Sequence, residues 1–414
     1  MIPQNTLVLA DNCYYSMDSF ETQLNNNVLV VGSSGCGKTR SIVSPNILQA
    51  SGSYIISDPK GVLYPKYRKY LEEHGYEVQV LDFIHPEKST RYNFFRYIRS
   101  TRDIIKIAHM LVYGMGDDNG KKPDPFWDEA AELLLTSIIA FLHQRGIEED
   151  KNLSAIQSLI MACQVDEDHS SGKTTLDIIM EREFEDDEDN FAYRQYQKFR
   201  IAAGKTLKSI MITLNAHLGK YDFEELNRMM EYDETNIASI GQKKKALFVI
   251  VSDTDRSMDG LANLFYSQAM NELCRYADEE CKGNRLPVDV RFILDDFATN
   301  CRIADFPTMI SNIRSRGISA MLMIQAESQL EHGYGANART IIANCDTYVY
   351  LGGNDVDTAK KVAERCDLPY RKILNMPIGT NWIFRRGQEP INGKNLVLEK
   401  FTGAYITSKE GMAR

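Results

Sequence analysis

Val28-Leu29-Val30-Val31 runs directly into Gly32, Ser33, Ser34, Gly35, Cys36, Gly37, Lys38, Thr39 and Arg40, which together read G-x-x-x-x-G-K-T plus one basic residue. These are the residue types that a polyphosphate asks for. Glycines let successive backbone N–H groups curl around an anion with no Cβ in the way. Lys38 has the reach and charge for the β- and γ-phosphates, and the Thr39 hydroxyl is suited to Mg²⁺. A helix following the loop would point its partial positive end at the same phosphates. The spacing therefore predicts a nucleotide site for ATP with Mg²⁺.

A second constellation lies far downstream. The run Val290–Leu294, apolar but for Arg291, ends in Asp295-Asp296. In a phosphate-loop site the first carboxylate, Asp295, holds Mg²⁺ together with Thr39, and the second, Asp296, orients or activates the attacking water. Gln325 follows the run Ser319–Ile324, where a polar amide can sense the γ-phosphate or align water. Arg314 and Arg316 precede that run. They read as surface charge or, in a ring of subunits, as cations directed at a neighbour's nucleotide. Asp58, in the turn Asp58-Pro59-Lys60-Gly61, reads equally as a site residue or as a helix cap.

The elements that must position these residues follow from hydrophobic patterning. Strands are predicted at Thr6–Ala10, Val28–Val31, Tyr54–Ser57 and Glu77–Leu81, with helices after Lys38 and over 63–74. This is the alternation of a parallel sheet covered by helices. Pro45 predicts a kink or early break in the first of these helices. From 103 to 235 the period becomes helical, with a stripe of Trp127, Ala130, Ala131, Leu134, Ile138 and Phe141. Further helices are expected at 154–162, 176–180, 193–199 and 205–217, and the acidic run 181–190 reads as a solvated loop. Strands return at 246–251, 290–294, 319–324 and 346–351, a helix is expected over 261–282, and a closing hairpin pairs 382–385 with 397–398. The expected architecture is α/β with a mainly parallel sheet. It divides into a nucleotide-binding domain in two parts, 1–102 and 238–414, around an all-helical insertion, 103–237.

The 414 residues carry a net charge of −9, so any contact with nucleic acid must come from local basic patches. The eight cysteines include no C-x-x-C pair and no zinc spacing, which points to free thiols in a reducing compartment. No apolar run approaches the roughly 20 residues of a membrane helix, and no signal peptide is visible. The expectation is a cytoplasmic protein that reaches the inner face of the membrane through a partner.

The chain resembles the TraG/TraD-type coupling ATPases of conjugative type IV secretion. The carriers are Gly32–Arg40 with Pro45-Asn46-Ile47, Ser57–Gly61, Phe126-Trp127-Asp128 with Ala130-Ala131, Lys205–Ser209, Phe292–Ala298, Arg314–Ile318, Gln325, Asn344-Cys345-Asp346 and Leu351-Gly352. The resemblance implies a RecA-like phosphate-loop NTPase domain interrupted by an all-α domain. It also implies a homo-hexameric ATPase that brings a relaxase–DNA complex, its DNA single-stranded, to a secretion channel. Its implied partners are relaxase, accessory proteins and the channel's ATPase or membrane components, and Arg314 matches the family's candidate arginine finger. Three departures from the family pattern are expected to matter: no segment here reads as the membrane anchor with which family members commonly begin, Asp296 stands where Glu is usual, and the tail after residue 400 reads as shorter than in relatives. A recruitment platform with weak hydrolysis and a DNA pump of the FtsK/HerA kind are the alternative functions.

Overall fold

The computed structural model of the chain describes residues 5–114, 125–163, 173–202 and 205–398. They form two compact units. The first comprises Met1–Val80, Asn236–Asp253 and Ala269–Arg414, and the second Leu81–Thr235 and Thr254–Gln268.

Eleven strands are present among the described residues: β1 (Thr6–Ala10), β2 (Cys13–Ser16), β3 (Val28–Val31), β4 (Ser53–Ser57), β5 (Glu77–Asp82), β6 (Lys245–Ile250), β7 (Val290–Leu294), β8 (Ile318–Ile324), β9 (Thr347–Tyr350), β10 (Thr380–Arg385) and β11 (Ile391–Lys394). Nine of them make one sheet in the order β11-β10-β9-β3-β8-β7-β4-β6-β5. The pairs β9–β3, β3–β8, β8–β7, β7–β4 and β4–β6 are parallel, while β10 joins β9 and β11 antiparallel. Every residue of β3, β4, β6, β7, β8 and β9 is buried. Burial on both faces is what lets a parallel strand read as a continuous apolar run rather than an alternation. One side of the core packs Val28, Val30, Ile56, Phe248, Ile293, Met321 and Val349 against Ile42, Ile47, Leu63 and Leu71.

Thr6–Ala10 is a strand as expected, but it pairs antiparallel with β2 in a separate two-stranded sheet. Asn46 fastens it. Its side-chain amide donates to the carbonyls of Val8 (2.8 Å) and Ile42 (2.7 Å), and its oxygen accepts from the Val8 N–H at 3.1 Å. The helix after Lys38 is short and irregular. A π-type turn over Thr39–Val43 leads into Ser44–Leu48, where it stops. Pro45 has no N–H to continue the regular ladder. The closing hairpin pairs β10 with Ile391–Lys394 instead of 397–398, with Ile383 opposite Ile391. The short turn through Gly387, at φ +76°, fixes that register, and the exposed Ile391–Lys394 has no apolar alternation to announce it.

The second unit is helical, with main helices Thr101–Tyr113, Pro125–Arg145, Leu153–Met161, Thr175–Glu183, Phe191–Arg200 and Lys205–Leu218. Reciprocal capping boxes start two of them, Ser100 with Asp103 and Thr174 with Asp177. Asp128 and His217 join two long helices at 2.9 Å. The acidic run is helical as far as Glu183 and leaves the helix only after that. The unit begins at Leu81 and not at 103, because 92–97 packs within it. Asn93 donates to the carbonyls of Lys151 (2.7 Å) and Glu231 (3.1 Å), Tyr97 donates to Asp233 (2.7 Å), and the Tyr92 hydroxyl bonds Gln268. Phe94–Tyr97 is a single short 3-10 turn, too short for periodicity to reveal.

Candidate functional site

Beyond the C-terminal ends of β3, β4, β7 and β8 lies a cleft of about 290 Å³, where open α/β sheets place ligands. It is lined by Ser33, Ser34, Gly35, Gly37, Lys38, Thr39 and Arg40, by Asp58 to Lys60, and by Asp295, Asp296 and Gln325. Gly32 and Cys36 belong to the same loop. A Cβ on Gly32 would stand 2.5 Å from the Cys36 sulfur and 2.9 Å from Leu351 Cβ, so no larger residue fits. Gly35 and Gly37 adopt φ +79° and +95°, a backbone open to glycine at no steric cost. The loop is anchored by two backbone bonds, Gly32 N–H to Ile324 O (3.1 Å) and Ser33 N–H to Gly352 O (3.0 Å).

Inside this frame the Lys38 ammonium is buried and donates to the carbonyls of Gly32 (2.5 Å) and Ser33 (3.3 Å). Among the described residues it makes no ion pair, so its charge is directed at the loop. The Thr39 hydroxyl donates to the Asp295 carboxylate at 3.0 Å. The motif after β3 and the acid after β7 thus meet in space, 256 residues apart in sequence. Ser57 steadies the acidic end by donating to the Asp295 carbonyl at 3.1 Å. Burial first, then the charge of Asp296, pushes the Asp295 carboxyl above its ordinary range, against the opposing pull of Thr39 and Lys38.

Asp296 sits at φ +53°, the left-handed region that Asp and Asn tolerate best among residues with a Cβ. Its N–H donates to Asp295 at 3.1 Å, while its own carboxylate lines the cleft. Gln325 projects from the tip of β8, the strand beside β7 and β3, and is exposed in the cleft. Asp58 is a cap. Its buried carboxylate accepts from the N–H groups of Val62 (3.0 Å), Leu63 (2.8 Å) and Tyr64 (3.0 Å), which opens the helix Leu63–Glu73. Burial raises the Cys36 thiol pKa, against the pull of Lys38. Arg314 is not brought to this cleft. It lies at the other end of the sheet, before β8, and donates to the Ser19 carbonyl at 2.8 Å. Arg316 is bound by Asp278 at 2.7 Å.

A hydroxyl and a carboxylate side by side, both hard oxygen donors, suit Mg²⁺, which takes one or two protein oxygens and completes its shell with phosphates and water. The buried and crowded Asp295 carboxylate is a group that such a cation would relieve. The donor set fits the ion.

Sequence reasoning missed the asparagines that hold this frame. The Asn27 oxygen accepts from Ala320 N–H at 2.9 Å, and its amide donates to Asn344 O at 3.1 Å. Asn25 and Asp346 exchange side-chain and backbone bonds at 2.6 and 3.2 Å. The run Asn25-Asn26-Asn27 signals only a turn by composition.

A mainly parallel sheet with a phosphate loop after one strand and an acid pair after another defines the RecA-like phosphate-loop NTPase class. The type IV secretory system conjugative DNA transfer family matches residues 3–367, and the chain belongs to that family. Among solved structures it resembles the bacterial conjugative coupling protein TrwBΔN70 in its unbound monoclinic form. That match has a TM-score of 0.67 and 17% identity, and covers 96% of this chain and 90% of the other. TrwB in complex with ADP and Mg²⁺ matches with a TM-score of 0.61 and 18% identity, over 90% of this chain and 86% of that one. VirB4 of Thermoanaerobacter pseudethanolicus matches with a TM-score of 0.52 and 11% identity, over 96% and 97% of the two chains. At these identities the likeness is one of fold. No curated protein sequence matches the chain. Among the described residues no helix is long and apolar enough to cross a membrane.

Proposed function

We propose that the cleft binds and hydrolyses ATP with Mg²⁺, and that the chain is the nucleotide-driven coupling subunit of a conjugative type IV secretion system. The observation that carries this reading is the 3.0 Å bond between Thr39 and Asp295. It joins the phosphate loop to the acid pair at the one place where both are useful. The ADP and Mg²⁺ of the TrwB complex lend support by analogy of fold.

The loop N–H groups and Lys38 bind and orient the phosphates. Lys38 exchanges its carbonyl partners for phosphate oxygens, so its charge is stronger where negative charge develops. Thr39 and Asp295 would hold Mg²⁺, which when bound neutralises charge on the phosphate oxygens. Asp296 accepts a proton from, or orients, the attacking water, and Gln325 aligns that water from the neighbouring strand tip. Arg314 acts on the nucleotide of a neighbouring copy in a hexameric ring, since its own cleft lies at the opposite end of the strands. The helical unit recognises relaxase and accessory proteins, with the DNA arriving single-stranded on the relaxase. The assembly sits at the inner face of the membrane, on the channel's ATPase or membrane components.

The test is ATP turnover by the purified chain with and without single-stranded DNA. Mg²⁺-dependent turnover that DNA raises is expected. Nucleotide binding without turnover under any condition would leave a recruitment platform instead.

A further inference from the structure

At the N-terminal ends of β4, β7 and β8, opposite the phosphate loop, lies a second cavity of about 340 Å³. Its lining includes four cationic side chains, Lys244, Arg285, Arg291 and Arg314, against one carboxylate, Asp289. Arg291 is the unusual member. It stands in the middle of the sheet, on β7, and is only 3% exposed. A buried charge ordinarily has a charged partner. Here the guanidinium donates to Met17 sulfur at 3.0 Å and reaches Ser319 Oγ at 3.5 Å, and among the described residues no carboxylate ion-pairs with it. A thioether and a hydroxyl at the limit of reach are weak acceptors for a group with five N–H donors.

Asp289 does not fill the gap. Its two oxygens are held by Arg285, at 2.6 and 2.8 Å. Burial pulls the Arg291 guanidinium down to about 10, against Tyr54 and Asp289, as expected of a cation short of compensating charge. Two glycines of the lining let Asp289 pack close against it. A Cβ on Gly52 would stand 2.5 Å from the Asp289 carbonyl oxygen, and one on Gly317 would stand 2.6 Å from its carboxylate.

We propose that this cavity is a second anion site, in which Arg291, with Arg285, Arg314 and Lys244 around it, binds a phosphate-class oxyanion. The volume is at the low end for ligand pockets, so it takes a free phosphate or the terminal phosphoryl group of a larger molecule. Arginine is the side chain suited to this, because its planar fork matches the spacing of phosphate oxygens. The proposal rests on Arg291 and not on the reading of the phosphate-loop cleft, with which it shares only Arg314.

The test is calorimetric titration of the full chain carrying Lys38→Ala, so that a defect in the phosphate loop and a defect here are seen separately. Inorganic phosphate is one arm and ADP the other. Saturable binding of phosphate is expected, weakened about ten- to a hundred-fold by Arg291→Met and less by Arg291→Lys, which keeps the charge. Binding of phosphate alone identifies a free-anion site. Binding of ADP with the same loss in Arg291→Met identifies a terminal phosphoryl group. Should Arg291→Met fail to fold, Lys244→Ala changes an exposed side chain and is expected to weaken binding several-fold. A purely structural Arg291 predicts a lower melting temperature for Arg291→Met in phosphate-free buffer, with binding unaltered. That outcome, or no binding of either anion, overturns the proposal.

Discussion

Asp295 carries the conflict at the centre of the site. Its carboxyl is pushed up by burial and by Asp296, so the folded chain holds that proton to a higher pH than the unfolded one does. A carboxyl raised in the folded state costs stability as pH rises from its unfolded value through its folded value, and the cost remains at neutral pH. Asp295→Asn is therefore expected to raise the melting temperature without Mg²⁺ and nucleotide, to lose much of its advantage in acid, and to abolish turnover. Paired melts at neutral and acidic pH check this, and an unchanged or lowered neutral melting temperature would count against it. Asp296 presents a different case. At φ +53° asparagine is as well tolerated as aspartate, so Asp296→Asn should leave stability alone while turnover falls about 10²–10⁴-fold. Equal turnover in the two chains would remove Asp296 from the chemistry.

The elements around these residues were legible to different degrees, for physical reasons. β3, β7 and β8 are buried on both faces, so each reads as an apolar run, interrupted only by Arg291 in β7 and Ser319 in β8, and the candidate site residues follow immediately at its end. Motif and strand are therefore read together. What the sequence conceals is side-chain to backbone bonding across long separations. Asn27 to Ala320, Asn46 to Val8, and the packing of 92–97 within the helical unit have no period. Asp58 shows the limit well, because a turn aspartate beside a nucleotide motif reads equally as ligand or cap. The three N–H groups it accepts decide for the cap. Asp58→Ala is expected to lower unfolding free energy by about 1–2 kcal/mol, read from a denaturant midpoint. Full stability with lost nucleotide binding would reassign the residue to the ligand.

At the scale of the whole molecule the two ends of the sheet carry different residues. The C-terminal end carries Lys38, Thr39, Asp295, Asp296 and Gln325, whereas Arg314 stands at the N-terminal end, before β8. If a ring places one copy's Arg314 against the next copy's cleft, Arg314→Ala and Lys38→Ala are each inactive alone. A mixture that exchanges subunits should regain part of the turnover, because some interfaces then join an intact cleft to an intact arginine. No recovery on mixing would argue against action in trans. The central claim is simpler and comes first: the cleft formed by Lys38, Thr39 and Asp295 hydrolyses ATP. The most direct measurement is steady-state phosphate release by the purified chain with and without Mg²⁺, beside Lys38→Ala. The account predicts Mg²⁺-dependent turnover that falls by about 10²–10³-fold in the variant. Equal phosphate release by the two chains, or release indifferent to Mg²⁺, would contradict it.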